Sequence, residues 1–223
     1  TRAMKCYTWN DINVGQWQQI MSIFGERGNS WLDLIVRPAA IIMDRTEHEL
    51  DSLSTAEIIE VGKQIAFVHT AVEPQAQRII EIRGKRYRCV YDVTMMPAAR
   101  YIESKVFGQD VHKELHKVAA CMVIPQKRHW LLGWIDDKYD AAKHSEYAED
   151  MLHAPITAVL GSVLFFCDVY LQLINNSRVY LVKELMKRQN LPVAEAEAFV
   201  NDLCHVMDGI IRPNASRNIS ESQ

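Results

Sequence analysis

Asp51-Ser52-Leu53-Ser54-Thr55-Ala56-Glu57-Ile58-Ile59-Glu60-Val61-Gly62-Lys63-Gln64-Ile65-Ala66-Phe67 is echoed, 99 residues on, by Asp150-Met151-Leu152-His153-Ala154-Pro155-Ile156-Thr157-Ala158-Val159-Leu160-Gly161-Ser162-Val163-Leu164-Phe165-Phe166. Asp51, Leu53, Gly62 and Phe67 recur as Asp150, Leu152, Gly161 and Phe166. Upstream, Ala39-Ala40-Ile41-Ile42 answers Ala119-Ala120-Cys121-Met122 at an offset of 80, and Tyr7 and Trp17 answer Tyr91 and Tyr101 at an offset of 84. Self-similarity at a sustained offset marks a repeated structural unit. Shared apolar helical periodicity between two unrelated halves would leave a similar trace, so both readings stand at this point.

The units read as mainly helical with a minor β part. Residues 5–74 form the first, strand then three helices. Lys5 to Trp9 alternates as a short strand, and Asn10-Asp11 supplies turn or capping chemistry. Val14, Trp17, Ile20, Met21 and Phe24 follow helical spacing. Ser30 can cap a second helix whose stripe runs from Trp31 to Ile42, with Pro38 set to kink or split it. Ser54 with Glu57 is a capping box that opens a third.

Residues 75–175 form the second unit. Ile79 to Ile82 and Tyr87 to Tyr91 flank Gly84-Lys85 as a β-hairpin. Pro97 is placed to start a helix carrying Tyr101, Ile102 and Val106. The next helix is expected from Asp110 to Ile124, ended by Pro125, and the apolar run from Pro155 to Ile174 is the third. Asp168 and Gln172 interrupt that run, so it reads as a buried core helix and not a membrane span. Residues 176–211 carry two further helices, Arg178 to Asn190 and one restarted by Pro192. Residues 212–223 hold almost nothing apolar and read as a disordered tail.

A net charge of −3 disfavours a general nucleic-acid binder. Cys6, Cys89, Cys121, Cys167 and Cys204 are scattered, without a metal-type pair, as expected of free thiols in a reducing compartment. Three glycosylation triplets begin at Asn175, Asn214 and Asn218; Thr1-Arg2-Ala3 before Met4 lacks an apolar signal core, so the triplets carry no weight.

Because the offset grows from 80 to 99, the second unit carries an insertion of about 19 residues, placed at 126–143. It holds Lys127, Arg128, Trp130, Leu131, Leu132 and Trp134, followed by Asp136, Asp137 and Asp140. Paired tryptophans beside arginine are the composition of a binding hot spot. Two readings stay open: a loop whose rings cover the protein's own core, or a partner-binding segment made of those six residues.

His112 and His116 are i, i+4 on one helix, but the intervening Lys113-Glu114-Leu115 is not the order that sets a glutamate beside a metal-bound water. Cys204 and His205 are adjacent, which points their side chains about 100° apart on a helix and not at one another. The aspartates after Trp134 lack the glycine and glutamate of an EF-hand loop. No glycine-rich phosphate loop and no nucleophile elbow occurs. The expectation is therefore no catalytic residue, no metal and no cofactor.

The phrase Thr8-Trp9-Asn10-Asp11-Ile12-Asn13-Val14-Gly15-Gln16-Trp17-Gln18-Gln19-Ile20 is similar to the opening of helical proteins encoded among the virion and tail genes of large tailed bacteriophages, the crAss-like phages included. Glu49-Leu50-Asp51-Ser52-Leu53-Ser54 resembles their middle phrase, and Tyr87 to Val93, Tyr139-Asp140, Tyr147-Ala148-Glu149-Asp150 and Phe165-Phe166 look like the later ones. The resemblance covers residues 5–175 and consists of structural phrases, with no active-site signature. It implies a virion component or a head- or tail-assembly factor, made in the host cytoplasm and in some cases carried into the virion. Its partners would be other phage structural or assembly proteins, or a further copy in a homo-oligomer; the interrupted apolar run speaks against a membrane partner and the net charge disfavours nucleic acid. Two other readings are kept beside it. One is a cytoplasmic enzyme with a helix-borne site at His112, Glu114 and His116; the other is a single-strand nucleic-acid factor using Lys127, Arg128, Trp130 and Trp134.

Overall fold

Reciprocal capping sets the start of three of the first four helices, and a similar pair lies one turn ahead of the other. The Asn13 side chain accepts from the Gln16 amide at 2.8 Å while Gln16 accepts from the Asn13 amide, opening α1 over Val14–Gly25. Ser30 and Asp33 pair in the same way ahead of α2, Asp33–Met43. Thr46 with Glu49 opens α3, Glu47–Asp51, and Ser54 with Glu57 opens α4, Thr55–Gln64. Each box satisfies amides that the first helical turn leaves without partners. The computed structural model describes residues 6–92, 110–189 and 192–208. The helix expected from Pro97, the tail from residue 212 and Lys5 all lie outside that range.

The protein is mainly α with a small antiparallel sheet, as its periodicities predict. After α4 the chain runs into β1, Ile79–Ile82, and β2, Lys85–Cys89. Then come α5, Val111–Met122, and a second hairpin of β3, Val123–His129, and β4, Gly133–Asp136. Next are α6, His144–Leu152, α7, Ile156–Gln189, and α8, Val193–Asp208. The four strands lie in the order β1-β2-β3-β4, every neighbour antiparallel. Helix order in the two halves runs in parallel: α2 packs on α3 and α4, and α5 packs on α6 and α7.

Several expectations are corrected. Cys6 to Thr8 forms no strand, and Trp9–Asp11 is a turn of 3-10 helix closed by Thr8 and Asp11. The Trp9 indole instead donates to the Thr70 carbonyl at 3.2 Å, which anchors this segment by a side chain and not by a ladder. Pro38 neither splits nor ends α2; the helix passes through it with Pro38 buried. The helix expected to reach Ile124 stops at Met122, and Pro125 lies inside β3. Its carbonyl accepts from the Asp137 amide at 2.8 Å, while its missing N–H leaves the reciprocal bond unmade. β4 accordingly ends at Asp136. The third helix and the helix expected from Arg178 are one continuous element, α7, about 50 Å long for its 34 residues. Asn175, Asn176 and Ser177 cost helix propensity of tenths of a kcal/mol, too little to break a segment packed along α8.

The core is shared between the halves. Ile12, Val14, Ile20, Leu50, Leu115, Met151, Ile156 and Val159 are almost wholly buried. The loops that precede α1 and α7 pair with each other: Val14 donates to Ala154 and Ile156 to Ile12, both at 3.0 Å. One face of the sheet joins this core through Ile80, Ile82, Tyr87, Cys89 and Val123. Tyr87 stacks edge-on to Tyr147 and donates its hydroxyl hydrogen to Asp150, which also takes Lys85 at 2.7 Å. Among the described residues no helix is long and apolar enough to cross a membrane.

Candidate functional site

The sequence insertion builds the second hairpin, so the expected loop is a correction: its residues extend the sheet by two strands. Backbone pairing of β3 with β2 fixes the register, Arg86 opposite Gln126 and Arg88 opposite Ile124. β4 then pairs Asp136 with Gln126 and Trp134 with Arg128. Alternation puts Arg86, Arg88, Gln126, Arg128, Trp134 and Asp136 on the face turned from the core.

That outer face is stitched by charge. Asp136 takes Arg88 at 2.7 Å and the Gln126 amide at 2.8 Å, and the Arg88 guanidinium holds its carboxyl below the usual aspartate range. Arg86 lies 5.3 Å from the Trp134 ring centre and 3.5 Å from Glu81. On the opposite face Lys127 pairs with Asp137 at 2.9 Å, which likewise lowers that carboxyl. The two strands are thereby braced without apolar packing on both sides.

The turn is braced separately. His129 Nδ1 accepts from the amides of Leu131 and Leu132, each at 3.2 Å. This requires that nitrogen to be unprotonated. Gly133 follows with φ +75°, a left-handed conformation that closes the turn at little cost only for glycine. At the tip Trp130 is 88% exposed, Leu131 69% and Leu132 68%. Trp134 is 42% exposed, part of its ring lying under Arg86. Arg128 is exposed, and among the described residues no carboxylate pairs with it.

The six predicted residues therefore divide. Trp130, Leu131 and Leu132 form one apolar knob, with Arg128 beside it. Trp134 belongs to the outer sheet face, and Lys127 is engaged by Asp137. The alternative of rings covering the protein's own core does not describe Trp130. Sequence reasoning missed Arg86 and His129. No sequence signal marked His129, because the side chains that commonly take turn amides are those of Ser, Thr, Asn and Asp.

The other constellations do not converge. His112 packs its ring 5.5 Å from Trp17, while Glu114 pairs with Lys117 at 2.5 Å. His116 points toward α6, into a shallow groove shared with His144 and Glu149, where burial lowers its pKa. Asp136 and Asp137 are spent on Arg88 and Lys127, and Asp140 caps the short turn at Ala142 at 3.0 Å. Among the described residues no group of three or more histidine, cysteine or acidic side chains could hold a metal ion. Cys204 and His205 follow one another on α8. Comparison with protein-family models, curated proteins and solved structures returns no match.

Proposed function

We propose that this protein is a non-catalytic structural or assembly component of a tailed bacteriophage, working through protein–protein contacts made by the β3–β4 hairpin. One observation carries the contact: Trp130, Leu131 and Leu132 stand in solvent on a turn held by His129 and Gly133. A contiguous exposed apolar knob is costly in water and is normally covered by a partner. Its rigidity reduces the ordering entropy that binding would otherwise cost. The phage assignment comes from the resemblance of residues 5–175 and from nothing in the site. On this reading the chain is made in the host cytoplasm, and its partners are other phage structural or assembly proteins or further copies of itself.

A protein partner fits the charge pattern better than a single-stranded nucleic acid. Arg88 and Lys127 are neutralised by Asp136 and Asp137, so the basic residues beside the tryptophans do not present a backbone-tracking groove. The test is a photo-crosslinking residue at position 130, with a control at exposed Lys183, during production in phage-infected host. Polypeptide adducts at 130 and none at the control support the proposal. Adducts only to nucleic acid or lipid, or no adducts, overturn it.

A further inference from the structure

The same chain carries a concave surface that fits its own hairpin. Trp31, Leu32, Val36, Leu53 and Ile58 line a groove of about 140 Å³ between the start of α2 and the α3–α4 corner, with Asp51 at its edge. Trp31 is 61% exposed there and Leu32 37%. A cavity of about 150 Å³ accommodates a benzene ring, so this groove takes one leucine side chain or the edge of an indole.

The charges also match. From Asp44 to Glu60 the chain carries Asp44, Glu47, Glu49, Asp51, Glu57 and Glu60 against Arg45 as its one strong base. Asp51 is exposed, and among the described residues no cation pairs with it. Arg128, beside the hairpin tip, is the complementary unpaired cation. One molecule therefore presents a basic apolar knob and an acidic apolar groove, each exposed and neither filled by the other within the chain.

We infer that the hairpin tip of one copy docks into the α2–α4 groove of a second copy, with Leu131 in the groove, Trp130 across its mouth and Arg128 against Asp51. This rests on the reading of the tip as a protein-binding element and names its partner. Knob and groove are different surfaces, so the contact is heterologous: it leaves a free knob at one end and a free groove at the other. Repetition closes a ring or extends a filament. A membrane partner would use the knob and leave the groove unexplained.

Sedimentation velocity of the full chain over a concentration series tests this. Wild-type mass should grow with concentration beyond the dimer. Trp130→Ser with Leu131→Ser, and separately Trp31→Ser with Asp51→Arg, should each remain folded by circular dichroism and weaken association by about thirtyfold or more. An equimolar mixture of the two variants should form a dimer and nothing larger, because one good knob meets one good groove. A wild type that stays monomeric, or a mixture that forms no dimer, overturns the inference. The crosslinker at position 130 separates the two failures. Adducts on residues 31–58 of another copy support self-docking. Adducts on a different polypeptide overturn self-docking while leaving the proposed function standing, and no polypeptide adduct sinks both.

Discussion

Gly161 of α7 lies against the backbone of Gln75: a Cβ at position 161 would stand 2.4 Å from the Gln75 nitrogen and carbonyl carbon. The close approach is made by a non-helical strap crossing a helix and not by a second helix. The strap is held there by Gln75 donating to the Thr157 carbonyl at 2.9 Å, and by Gln77 donating to Ser162 at 3.3 Å. The Tyr91 hydroxyl donates to the Gln77 carbonyl and lies 3.0 Å from the Ser162 hydroxyl. Gly62 differs, since its nearest neighbour would be the flexible end of Ile35 at 3.4 Å.

The two glycines should consequently respond in opposite directions to alanine. Gly161→Ala presses a Cβ into the Gln75 backbone and should cost about 1–3 kcal/mol as overpacking. Gly62→Ala gains helix propensity of up to about 1 kcal/mol and meets only a movable methyl. Urea unfolding of both variants decides it. Equal effects would remove the argument that strap and helix are in backbone contact.

Stability should fall on the alkaline side. Burial pushes Tyr91 up to about 12 and Tyr87 further still, while the hydrogen bond to Asp150 raises Lys85. All three hold their protons more tightly folded than unfolded. Their contribution is therefore complete below about pH 10, the ordinary tyrosine and lysine range, and is lost as pH rises through the folded values. Unfolding midpoints measured from pH 8 upward should decline above about pH 10. Tyr87→Phe should be less stable at pH 8, through its lost bond to Asp150, yet decline less steeply. An unchanged slope in that variant would place the alkaline sensitivity elsewhere.

Features set by neighbouring residues were legible in the chain. Ser54 with Glu57 acts three residues apart and stands as predicted, while Ser30, expected to cap α2 directly, pairs with Asp33 one turn ahead of it, where Leu32 holds the cap position. The first hairpin was readable from Gly84, though its two-residue turn is Arg83-Gly84, both at positive φ, with Ile82 opposite Lys85. The second hairpin was not readable. Lys127, Arg128 and His129 show no apolar alternation, because beyond Val123 the hairpin runs out past the core and its pairing is made by backbone against β2 and within the hairpin. The strand predicted at Lys5 to Trp9 failed for the converse reason: suitable residues met no strand edge. At the candidate site the composition of the knob was visible, whereas its exposure and its separation from Trp134 depended on that unreadable turn.

His129 should act as a positioning residue for the knob. Replacing it with alanine removes the acceptor for Leu131 and Leu132, two bonds at the surface that together contribute about 1 kcal/mol or less. Global unfolding should barely move. The amides of Leu131 and Leu132 should exchange faster with solvent, and His129→Asn, which keeps a side-chain acceptor, should restore part of the protection. Amide exchange that is identical in wild type and His129→Ala would show the turn is held by other means.

The two hairpin tryptophans should separate in a stability measurement, although composition alone treats them alike. Trp130 is 88% exposed, so Trp130→Ala removes almost no buried area and should change stability by no more than about 0.5 kcal/mol. Trp134 lies under the Arg86 guanidinium and opposite Arg128 in the ladder. Trp134→Ala loses a cation–π contact of about 0.5–1 kcal/mol and a cross-strand pair of similar size. Trp134→Phe keeps an aromatic face and should recover part of that loss. Urea midpoints for the three variants give the comparison directly. Should Trp130→Ala prove the more destabilising, the ring is packed on this protein's own surface and the knob is not available to a partner. Should the two tryptophans cost the same, the stacking of Arg86 contributes nothing to holding β4 in place.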